Sequence, residues 1–291
     1  MNKQNVLITG ANSPYGKYIC SYLRNYDNYI VHGLVKKNKF LEGFHHIYEF
    51  DLQKKNKFID EEFNYIFHLA SAVPSKYSLD KDFFDINVNG SLSLFKSVKL
   101  AKKAIIINIS SFSVYNDPTK LFIREDSQKE SENAYGLSKL MFENELCKYL
   151  INRECMLFSF RVPVLLVPGI KGNFISSWAS KISNNESITL YNPNSFLNAV
   201  ISGRSIIDFI LNLKYKNSKL SMNLASKNPL KIIEVARIMS NILNKELIYK
   251  EETNGKLNQQ IVTSLAENND FIIPDLKSII EEYTYSFKTH A

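Results

Sequence analysis

Short apolar segments alternate with longer helix-forming segments along the first 165 residues, and this alternation restricts the folds open to the chain. Helix-forming stretches lie near 15–25, 80–102 and 135–150. Apolar runs that lack alternation are typical of strands covered by helices on both faces, and the pattern therefore predicts an α/β fold with a doubly wound parallel sheet. The apolar segments are NVLIT at 5–9, YIVHGLV at 29–35, HIYEF at 46–50, NYIFHLA at 64–70, AIIINIS at 104–110 and CMLFSFRV at 155–162.

The segment TGANSPYG, at 9–16, joins the first predicted strand to the first helix. It is either a connecting turn or a cradle in which helix N-terminal amides bind a pyrophosphate. A Rossmann-type dinucleotide site has three small residues in this turn. Gly10 and Gly16 fit two of them, and Ser13 replaces the middle glycine. The segment alone does not decide between the two interpretations.

The end of the second strand bears on the choice of dinucleotide. An NAD site places a carboxylate there, about 20 residues after the loop, to bind the ribose 2′-hydroxyl. Lys36 and Lys37 occupy this place, and the next acid is Glu42. Two ammonium groups suit a 2′-phosphate, so the sequence favours NADP, with NAD as the runner-up. The alternative is that both lysines are solvated and another group contacts the ribose.

The chain changes character after Pro163, where turn-forming residues recur at short intervals. Ligands of open α/β sheets bind at the carboxyl ends of the strands, and a lobe built beyond those ends would cover one. We expect a dinucleotide-binding domain at 1–165, to which 196–225 returns. A smaller C-terminal substrate-binding lobe is expected at 166–195 and 226–291, with a last helix near 275–285.

Charge and cysteine usage limit the partners. The net charge is +7, but the lysines are spread along the chain, so we expect no nucleic-acid partner. No apolar run approaches the roughly 20 residues that span a bilayer, so no membrane contact is expected. Cys20, Cys147 and Cys155 form no CxxC pair, which predicts free thiols and no metal site. A strand that begins by Asn5 leaves no room for a signal peptide, and a cytoplasmic location is expected.

Tyr135 and Lys139, in AYGLSK, share one helix face through their i, i+4 spacing. A nearby ammonium lowers the pKa of a tyrosine from about 10, which makes Tyr135 a candidate acid/base for interconversion of carbinol and carbonyl. A surface pair without function is the alternative. Upstream, Ser110 and Ser111 end a predicted strand, where either can bond a substrate oxygen or cap the strand.

In their order along the chain these motifs resemble the extended short-chain dehydrogenase/reductase family, whose nucleotide-sugar branch includes epimerases, dehydratases and keto-reductases. The resemblance spans nearly the whole chain. The matching segments are TGANSPYG at 9–16, Asp51-Leu52, HLAS at 68–71, NVNGS at 87–91, SSFSVY at 110–115, YGLSK at 135–139 followed by Glu143, GNF at 172–174, NLAS at 223–226 and NDFIIPDLKSIIEE at 269–282.

The resemblance implies roles for individual residues. Tyr135 is the expected acid/base, Lys139 lowers its pKa and holds the nicotinamide ribose, and Ser111 donates a hydrogen bond to the substrate. Asn173 and Arg204 are expected to bind the substrate as well, although a plain turn residue and a surface cap remain the respective alternatives. The expected cofactor contacts are Gly10, Asn12, Ser13, Tyr15, Gly16, Lys36, Lys37, Asp51, Leu52, Leu69, Ala70, Ser71, Asn87, Tyr135 and Lys139.

The family resemblance leaves several reactions open. Dehydratases typically carry an Asp-Glu pair where this chain has Phe112 and Ser113, so dehydration is disfavoured. A reductase commonly uses NADPH, whereas an epimerase usually retains NAD. The lysines at the second strand therefore favour NADPH-dependent reduction of a nucleotide-linked keto-sugar, with epimerisation as the alternative and a non-catalytic dinucleotide sensor as a third. Many relatives dimerise through the helices matching 80–102 and 135–150, so a homodimer is expected.

Overall fold

The computed structural model describes residues 3–37, 40–116, 119–129, 131–253 and 258–290. The chain divides into two compact units. The first unit comprises Met1–Asn116, Gln128–Arg161 and Leu213–Met222, and the second comprises Asp117–Ser127, Val162–Asn212 and Asn223–Ala291. Of the segment 196–225, Leu213–Met222 therefore groups with the first unit.

Strands and helices follow one another through the described residues. A π-helical turn, Asp85–Gly90, lies between the second and third helices, and a 3-10 turn, Phe112–Val114, follows the fifth strand. The strands are β1 (Gln4–Thr9), β2 (Tyr29–Val35), β3 (His46–Glu49), β4 (Ile59–His68), β5 (Val98–Ser111), β6 (Phe122–Ile123), β7 (Met156–Val162), β8 (Val164–Leu166), β9 (Ile188–Tyr191), β10 (Phe196–Leu197), β11 (Val200–Ser202), β12 (Lys219–Asn223), β13 (Leu230–Lys231), β14 (Tyr249–Glu252) and β15 (Gln260–Ile261). The helices are α1 (Pro14–Leu23), α2 (Asp80–Phe84), α3 (Ser91–Lys96), α4 (Ala134–Leu150), α5 (Phe174–Ser183), α6 (Gly203–Leu211), α7 (Ile232–Leu243), α8 (Ser264–Glu267) and α9 (Leu276–His290).

The central sheet has seven strands in the order β12-β7-β5-β4-β1-β2-β3. The pairs β1–β2, β1–β4, β2–β3 and β4–β5 are parallel. The strand order reverses at β1, because β2 lies on one side of it and β4 on the other. The predicted doubly wound parallel sheet is confirmed, and the crevice at the reversal is where such sheets bind ligands.

The core of the first unit follows from the continuous apolar strands. Leu7, Ile66 and Ile106, from three neighbouring strands, are buried together with Phe142 and Leu146 of α4. Burial of each such side chain contributes about 1.5–3 kcal/mol. This packing fixes α4, which carries the predicted catalytic pair, against the centre of the sheet.

Residues 80–102 do not form the single predicted helix. Helix α3 ends at Lys96, and β5 begins at Val98, which pairs with Ile59 of β4. VKLAK, at 98–102, has no strict alternation of apolar and polar residues, and its pairing with β4 makes it a strand. Ser97 is the C-cap residue of α3, and its Oγ donates to the carbonyl of Ser93 at 2.8 Å.

The second unit has its own core, in which helices α5, α7 and α9 contribute most of the buried side chains. Trp178, Met239 and Ile280 represent these three helices, and Leu190 of β9 is buried with them. The final helix extends to His290, beyond the predicted end near 285. Within the described residues, no helix combines the length and the apolar character needed to cross a membrane.

Candidate active site

The turn after β1 brings its backbone against the end of β4. Gly10 has a φ of +66°, and a Cβ there would lie 3.1 Å from the amide nitrogen of Ala70. A Cβ on Gly16 would lie 2.8 Å from the carbonyl oxygen of Gly10. Both glycines are therefore required by close backbone contacts, which keep the turn tight at the start of α1.

Ser13, which replaces the expected middle glycine, is the N-cap residue of α1. Its Oγ accepts a hydrogen bond from Gly16 N at 3.0 Å, and its own N–H donates to the carbonyl of Gly10 at 2.9 Å. Pro14 follows at the first helical position. The serine therefore stabilises the helix start, whose amides and dipole favour an anion.

A cavity of about 710 Å³ lies at the strand-order reversal. This volume falls in the range of small-molecule and cofactor sites. Ten of the predicted cofactor contacts line it: Gly10, Asn12, Ser13, Lys36, Lys37, Asp51, Leu52, Leu69, Ala70 and Ser71. Sequence reasoning missed eight further lining residues, namely Pro14, Leu34, Val35, Phe50, Gln53, Lys76, Tyr77 and Ile86.

Among the described residues, the other five predicted cofactor contacts do not line this cavity. They include Asn87, whose Oδ1 accepts from Ala72 N at 2.6 Å and from Ser71 Oγ at 3.0 Å. Its Nδ2 donates to Ser138 Oγ at 2.9 Å, so Asn87 ties the cavity wall to α4. The five are Tyr15, Gly16, Asn87, Tyr135 and Lys139, and their contact with a cofactor stays a prediction.

The two lysines after β2 have an acidic neighbour from another segment. Lys36 Nζ donates to Gln53 Oε1 at 3.0 Å and lies 3.8 Å from Asp51 Oδ1. The Lys36 side chain is 54% exposed, whereas that of Asp51 is 13% exposed. Since Lys37 and Lys76 line the same cavity, cations outnumber the single carboxylate there.

Tyr135 lies in the first turn of α4 and touches Ser111. The N-cap residue Asn133 accepts from Gly136 N at 2.7 Å, and this bond fixes the helix start. The Ser111 side chain lies beside the Tyr135 hydroxyl, and the Tyr135 ring meets Phe83 edge-on at 5.8 Å. Burial raises the pKa of Tyr135 above its usual value, and the smaller effect of Ser111 lowers it.

Lys139 is 3% exposed, and its Nζ donates to the carbonyl oxygen of Ile109 at 2.7 Å. Burial lowers the pKa of Lys139 to about 8, and the carboxylate of Glu143 opposes this shift. The sequence predicts that Lys139 lowers the pKa of Tyr135, but the net shift of Tyr135 in the structure is upward. Burial of the phenol outweighs the favourable contacts, and the ammonium is directed at a backbone carbonyl.

A buried histidine beneath the cavity wall has a defined tautomer. Thr9 Oγ1 accepts from the N–H groups of Leu69 and Ala70 at 3.0 Å each, so its single proton goes to His68 Nδ1 at 3.1 Å. His68 Nε2 then carries the proton and donates to Ser91 Oγ at 3.0 Å. Burial lowers the pKa of His68 to about 3, so it stays neutral and holds the wall in place.

This arrangement predicts that Thr9→Val lowers the free energy of unfolding by about 3 kcal/mol, because it leaves two buried N–H groups and one ring nitrogen unpaired. The matched control is Thr284→Val, a buried threonine whose hydroxyl donates to Ile280 O within α9 and for which we expect a cost of about 1 kcal/mol. Urea unfolding measures both. Equal costs would contradict the bridging role of Thr9.

The predicted substrate residues of the second unit have structural partners. Asn173 is the N-cap residue of α5, and its Oδ1 accepts from Ser176 N at 2.9 Å. Arg204 lies on an exposed part of α6. Its Nε is 3.5 Å from Asp208 Oδ2, and its Nη1 is 4.0 Å from Glu282 Oε1. Their contact with a substrate stays a prediction.

Residues 6–211 match the model of the NAD dependent epimerase/dehydratase family. The chain belongs to this family. The predicted resemblance to the extended short-chain dehydrogenases/reductases is thereby confirmed. Of the sites described above, the cavity and the residues Ser111, Tyr135 and Lys139 lie inside the matched range.

Two curated members of the family are UDP-glucose 4-epimerases. The enzyme of Lactobacillus helveticus is 34% identical over 86 residues, which are 29% of this chain and 26% of the enzyme. The enzyme of Schizosaccharomyces pombe is 28% identical over 159 residues, which are 48% of this chain and 45% of the enzyme. The matched regions thus span less than half of these relatives' length.

Solved structures share the fold over essentially the whole chain. UDP-N-acetylglucosamine 4-epimerase from Methanobrevibacter ruminantium M1 has a TM-score of 0.79, 20% identity and complete coverage of both chains. UDP-glucuronic acid 4-epimerase from Bacillus cereus in complex with NAD has a TM-score of 0.77, 16% identity and coverage of 98% and 97%. RMD from Pseudomonas aeruginosa complexed with NADPH has a TM-score of 0.75, 18% identity and coverage of 99% and 100%. At these identities the likeness concerns the fold alone.

Proposed function

We propose that the protein is a nucleotide-sugar epimerase that uses a nicotinamide dinucleotide. The observation that carries the proposal is the placement of Ser111 beside Tyr135, with the buried Lys139 on the same helix as Tyr135. The 4-epimerases among the relatives support epimerisation, which the sequence placed second, over the reduction that it placed first. Neither the curated relatives nor the solved structures identify the sugar on which this protein acts.

The residues present fit a dinucleotide. The tight turn at Gly10 and the amides at the start of α1 suit a pyrophosphate, and Lys36 and Lys37 suit a 2′-phosphate. The cavity wall connects to α4 through Asn87, which contacts Ser71 and Ser138. The end of the cavity that is tied to α4 is therefore the place proposed for the nicotinamide ribose, near Tyr135 and Lys139.

The chain's own residues act on the sugar oxygen. A bound dinucleotide supplies hydride transfer to and from the sugar carbon. Ser111 donates a hydrogen bond to the sugar oxygen, and Tyr135 Oη, in its deprotonated form, takes the proton from the hydroxyl and later returns it. Epimerisation follows when the keto-sugar presents its opposite face before the carbon is reduced again, so no net oxidation occurs.

Reduction of a nucleotide-linked keto-sugar is the second candidate. Lys36 and Lys37 favour NADPH, which a reductase consumes. In addition, the raised pKa of Tyr135 keeps the phenol protonated at neutral pH, and a protonated phenol is the form that donates to a carbonyl. Because of these two observations, the experiment that follows tests reduction as well as epimerisation.

Incubation with UDP-glucose, UDP-N-acetylglucosamine and UDP-glucuronic acid separates the candidates. An epimerase converts one of them to its 4-epimer, seen by proton NMR, with only catalytic amounts of dinucleotide. A reductase instead acts on a UDP-linked keto-sugar, supplied in a separate incubation with NADPH, and oxidises one NADPH for each keto-sugar reduced. Stoichiometric NADPH consumption without any epimer would overturn the epimerase proposal in favour of the second candidate.

We propose NADP as the preferred dinucleotide and expect the wild type to bind NADPH at least about tenfold tighter than NADH, or about 1.4 kcal/mol. Lys36→Glu combined with Lys37→Glu is expected to abolish this preference, because the new carboxylates repel a 2′-phosphate. Fluorescence titration measures both affinities. The control is Lys55→Glu with Lys57→Glu, a nearby pair that does not line the cavity. Equal binding of both dinucleotides by the wild type would contradict the prediction.

The proposal includes contact of Asn173 and Arg204 with the nucleotide-sugar and assembly as a homodimer. Leu137 and Met141 support the dimer, because they are exposed on α4 one helical turn apart. Large apolar side chains at i, i+4 form the stripe that a partner helix covers.

A further inference from the structure

A buried ion pair lies one helical turn beyond Lys139. Arg161 Nη2, from β7, lies 2.7 Å from Glu143 Oε2, and Arg161 Nε is 3.2 Å from each carboxylate oxygen. The side chains are 5% and 2% exposed, respectively. Sequence reasoning included Glu143 only as part of a motif and did not single out Arg161.

The pair joins four elements of the first unit. Ser110, at the end of β5, donates its hydroxyl to Glu143 Oε1. Arg161 Nη1 donates to the hydroxyl oxygen of Tyr115 at 2.8 Å, and its guanidinium lies 5.3 Å from the centre of that ring. Helix α4, strands β5 and β7, and the chain after the 3-10 turn therefore meet at one buried charge pair.

This network holds the strand end that carries Ser111. Ser111 directly follows Ser110, and its Oγ accepts from Ser113 N at 3.1 Å at the start of the 3-10 turn. Tyr115 N closes that turn by donating to the carbonyl of Phe112 at 3.2 Å. Both ends of the turn are thus tied to Arg161 and Glu143, through Tyr115 and Ser110 respectively.

The same carboxylate acts on Lys139 through charge. On its own helix Lys139 faces Glu143, from β4 it faces His68, and from β5 the carbonyl of Ile109. His68 is neutral, and the raised pKa of Tyr135 keeps the phenol neutral as well. Glu143 is therefore the negative charge that favours the ammonium form, and Arg161 from β7 is engaged with Glu143.

We propose that Glu143 and Arg161 are positioning residues of the candidate active site: Glu143 keeps Lys139 charged inside the fold, and the pair fixes Ser111 against Tyr135. The inference rests on the proposed function, which places the nicotinamide ribose near Lys139. A purely structural contact would not need the charges, because apolar residues of similar volume often replace a buried ion pair without loss of stability.

The first test is the pH dependence of dinucleotide binding, measured by fluorescence titration from about pH 6 to about pH 10. We expect the wild-type affinity to fall as pH rises through about 8, where Lys139 loses its proton. Glu143→Gln keeps the shape but removes the charge, and is expected to move this fall about one pH unit lower. In Lys139→Arg the fall should disappear, because arginine stays protonated.

Glu145→Gln is the matched control, since Glu145 lies on the same helix but is exposed and pairs with Lys148 at 2.7 Å. It should leave the pH profile unchanged. If Glu143→Gln does not fold, as judged by circular dichroism, the double variant Glu143→Gln with Arg161→Met takes its place. That variant removes both charges of the Glu143–Arg161 pair and should show the same displacement.

A cofactor-independent measurement separates this inference from the proposed function. NMR titration of the labelled Lys139 side chain should give a midpoint near 8 in the wild type and a lower one in Glu143→Gln. An unchanged midpoint, or weaker binding at every pH without displacement of the profile, would overturn the positioning role. A displaced midpoint in a protein that binds no nicotinamide dinucleotide would support the action of Glu143 on Lys139 while overturning the proposed function.

Discussion

Tyr135→Phe is expected to lower turnover of the nucleotide-sugar by about 10²- to 10⁴-fold, the usual contribution of a positioned acid/base. The substitution removes the hydroxyl that lies beside Ser111 and leaves the ring against Phe83. The phenyl group cannot take or return a proton at the sugar oxygen. Dinucleotide affinity should stay close to that of the wild type, because the cavity lining is unchanged.

Tyr149→Phe is the matched control for this prediction. Tyr149 lies on the same helix, and its hydroxyl donates to the carbonyl of Phe95 at 3.1 Å. Both variants lose one tyrosine hydroxyl from α4, but of the two residues only Tyr135 lies beside Ser111. The turnover number measured with saturating nucleotide-sugar and fluorescence titration of the dinucleotide distinguish the two. Equal turnover in both variants would remove Tyr135 from the chemistry.

Six strands of the central sheet were predictable, because they are largely apolar runs between turn and helix signals. The exceptions are β12, whose residues KLSMN do not form an apolar run, and the start of β5 at 98–102, where VKLAK lies directly after an apolar helix. The local sequence pattern does not show where α3 ends and β5 begins, since the residues around Ser97 fit either element. The pairing of Val98 with Ile59 decides the structure, and that contact is not local.

The site was predictable where backbone geometry determines it. Gly10 and Gly16 follow from the close approach of the turn, and Ser13 fits because a serine caps a helix as well as it fits a tight turn. Side-chain direction was not predictable. The spacing of Tyr135 and Lys139 gives a common helix face, but it cannot show that Lys139 Nζ bonds Ile109.

Contacts between distant segments account for what sequence reasoning missed. Asp51 Oδ1 lies 3.8 Å from Lys36 Nζ, although β3 separates the two residues in the sequence. A carboxylate therefore approaches the end of β2 even though none follows β2 directly along the chain. Lys76, from the segment after β4, lines the same cavity for a similar reason. The choice between NAD and NADP therefore depends on a balance of charges that spacing does not report.

Removal of one partner of the buried ion pair should have the largest effect on stability. We expect Arg161→Met to lower the free energy of unfolding by about 3–5 kcal/mol, because the carboxylate of Glu143 stays buried without its partner. Urea unfolding of the wild type and the variant measures the difference. Loss of the bond to Tyr115 adds to the effect but does not by itself reach this size, since one net hydrogen bond is worth about 1 kcal/mol.

Arg153→Met is the control that isolates the charge. Arg153 also donates to a tyrosine hydroxyl, that of Tyr149 at 3.1 Å, and its guanidinium lies 4.8 Å from that ring. It is exposed, however, so its removal should cost about 0.5 kcal/mol or less. The comparison keeps the arginine–tyrosine contact constant and changes only burial and the carboxylate.

The double variant Glu143→Gln with Arg161→Met completes the argument. If the cost of Arg161→Met comes from an unpaired buried carboxylate, then neutralising Glu143 should recover most of the lost stability, even though a second native residue has been removed. If the cost comes from packing or from Tyr115, the double variant should be less stable than either single variant. Recovery of stability together with a displaced pH profile would mean that the charges serve Lys139 rather than the fold.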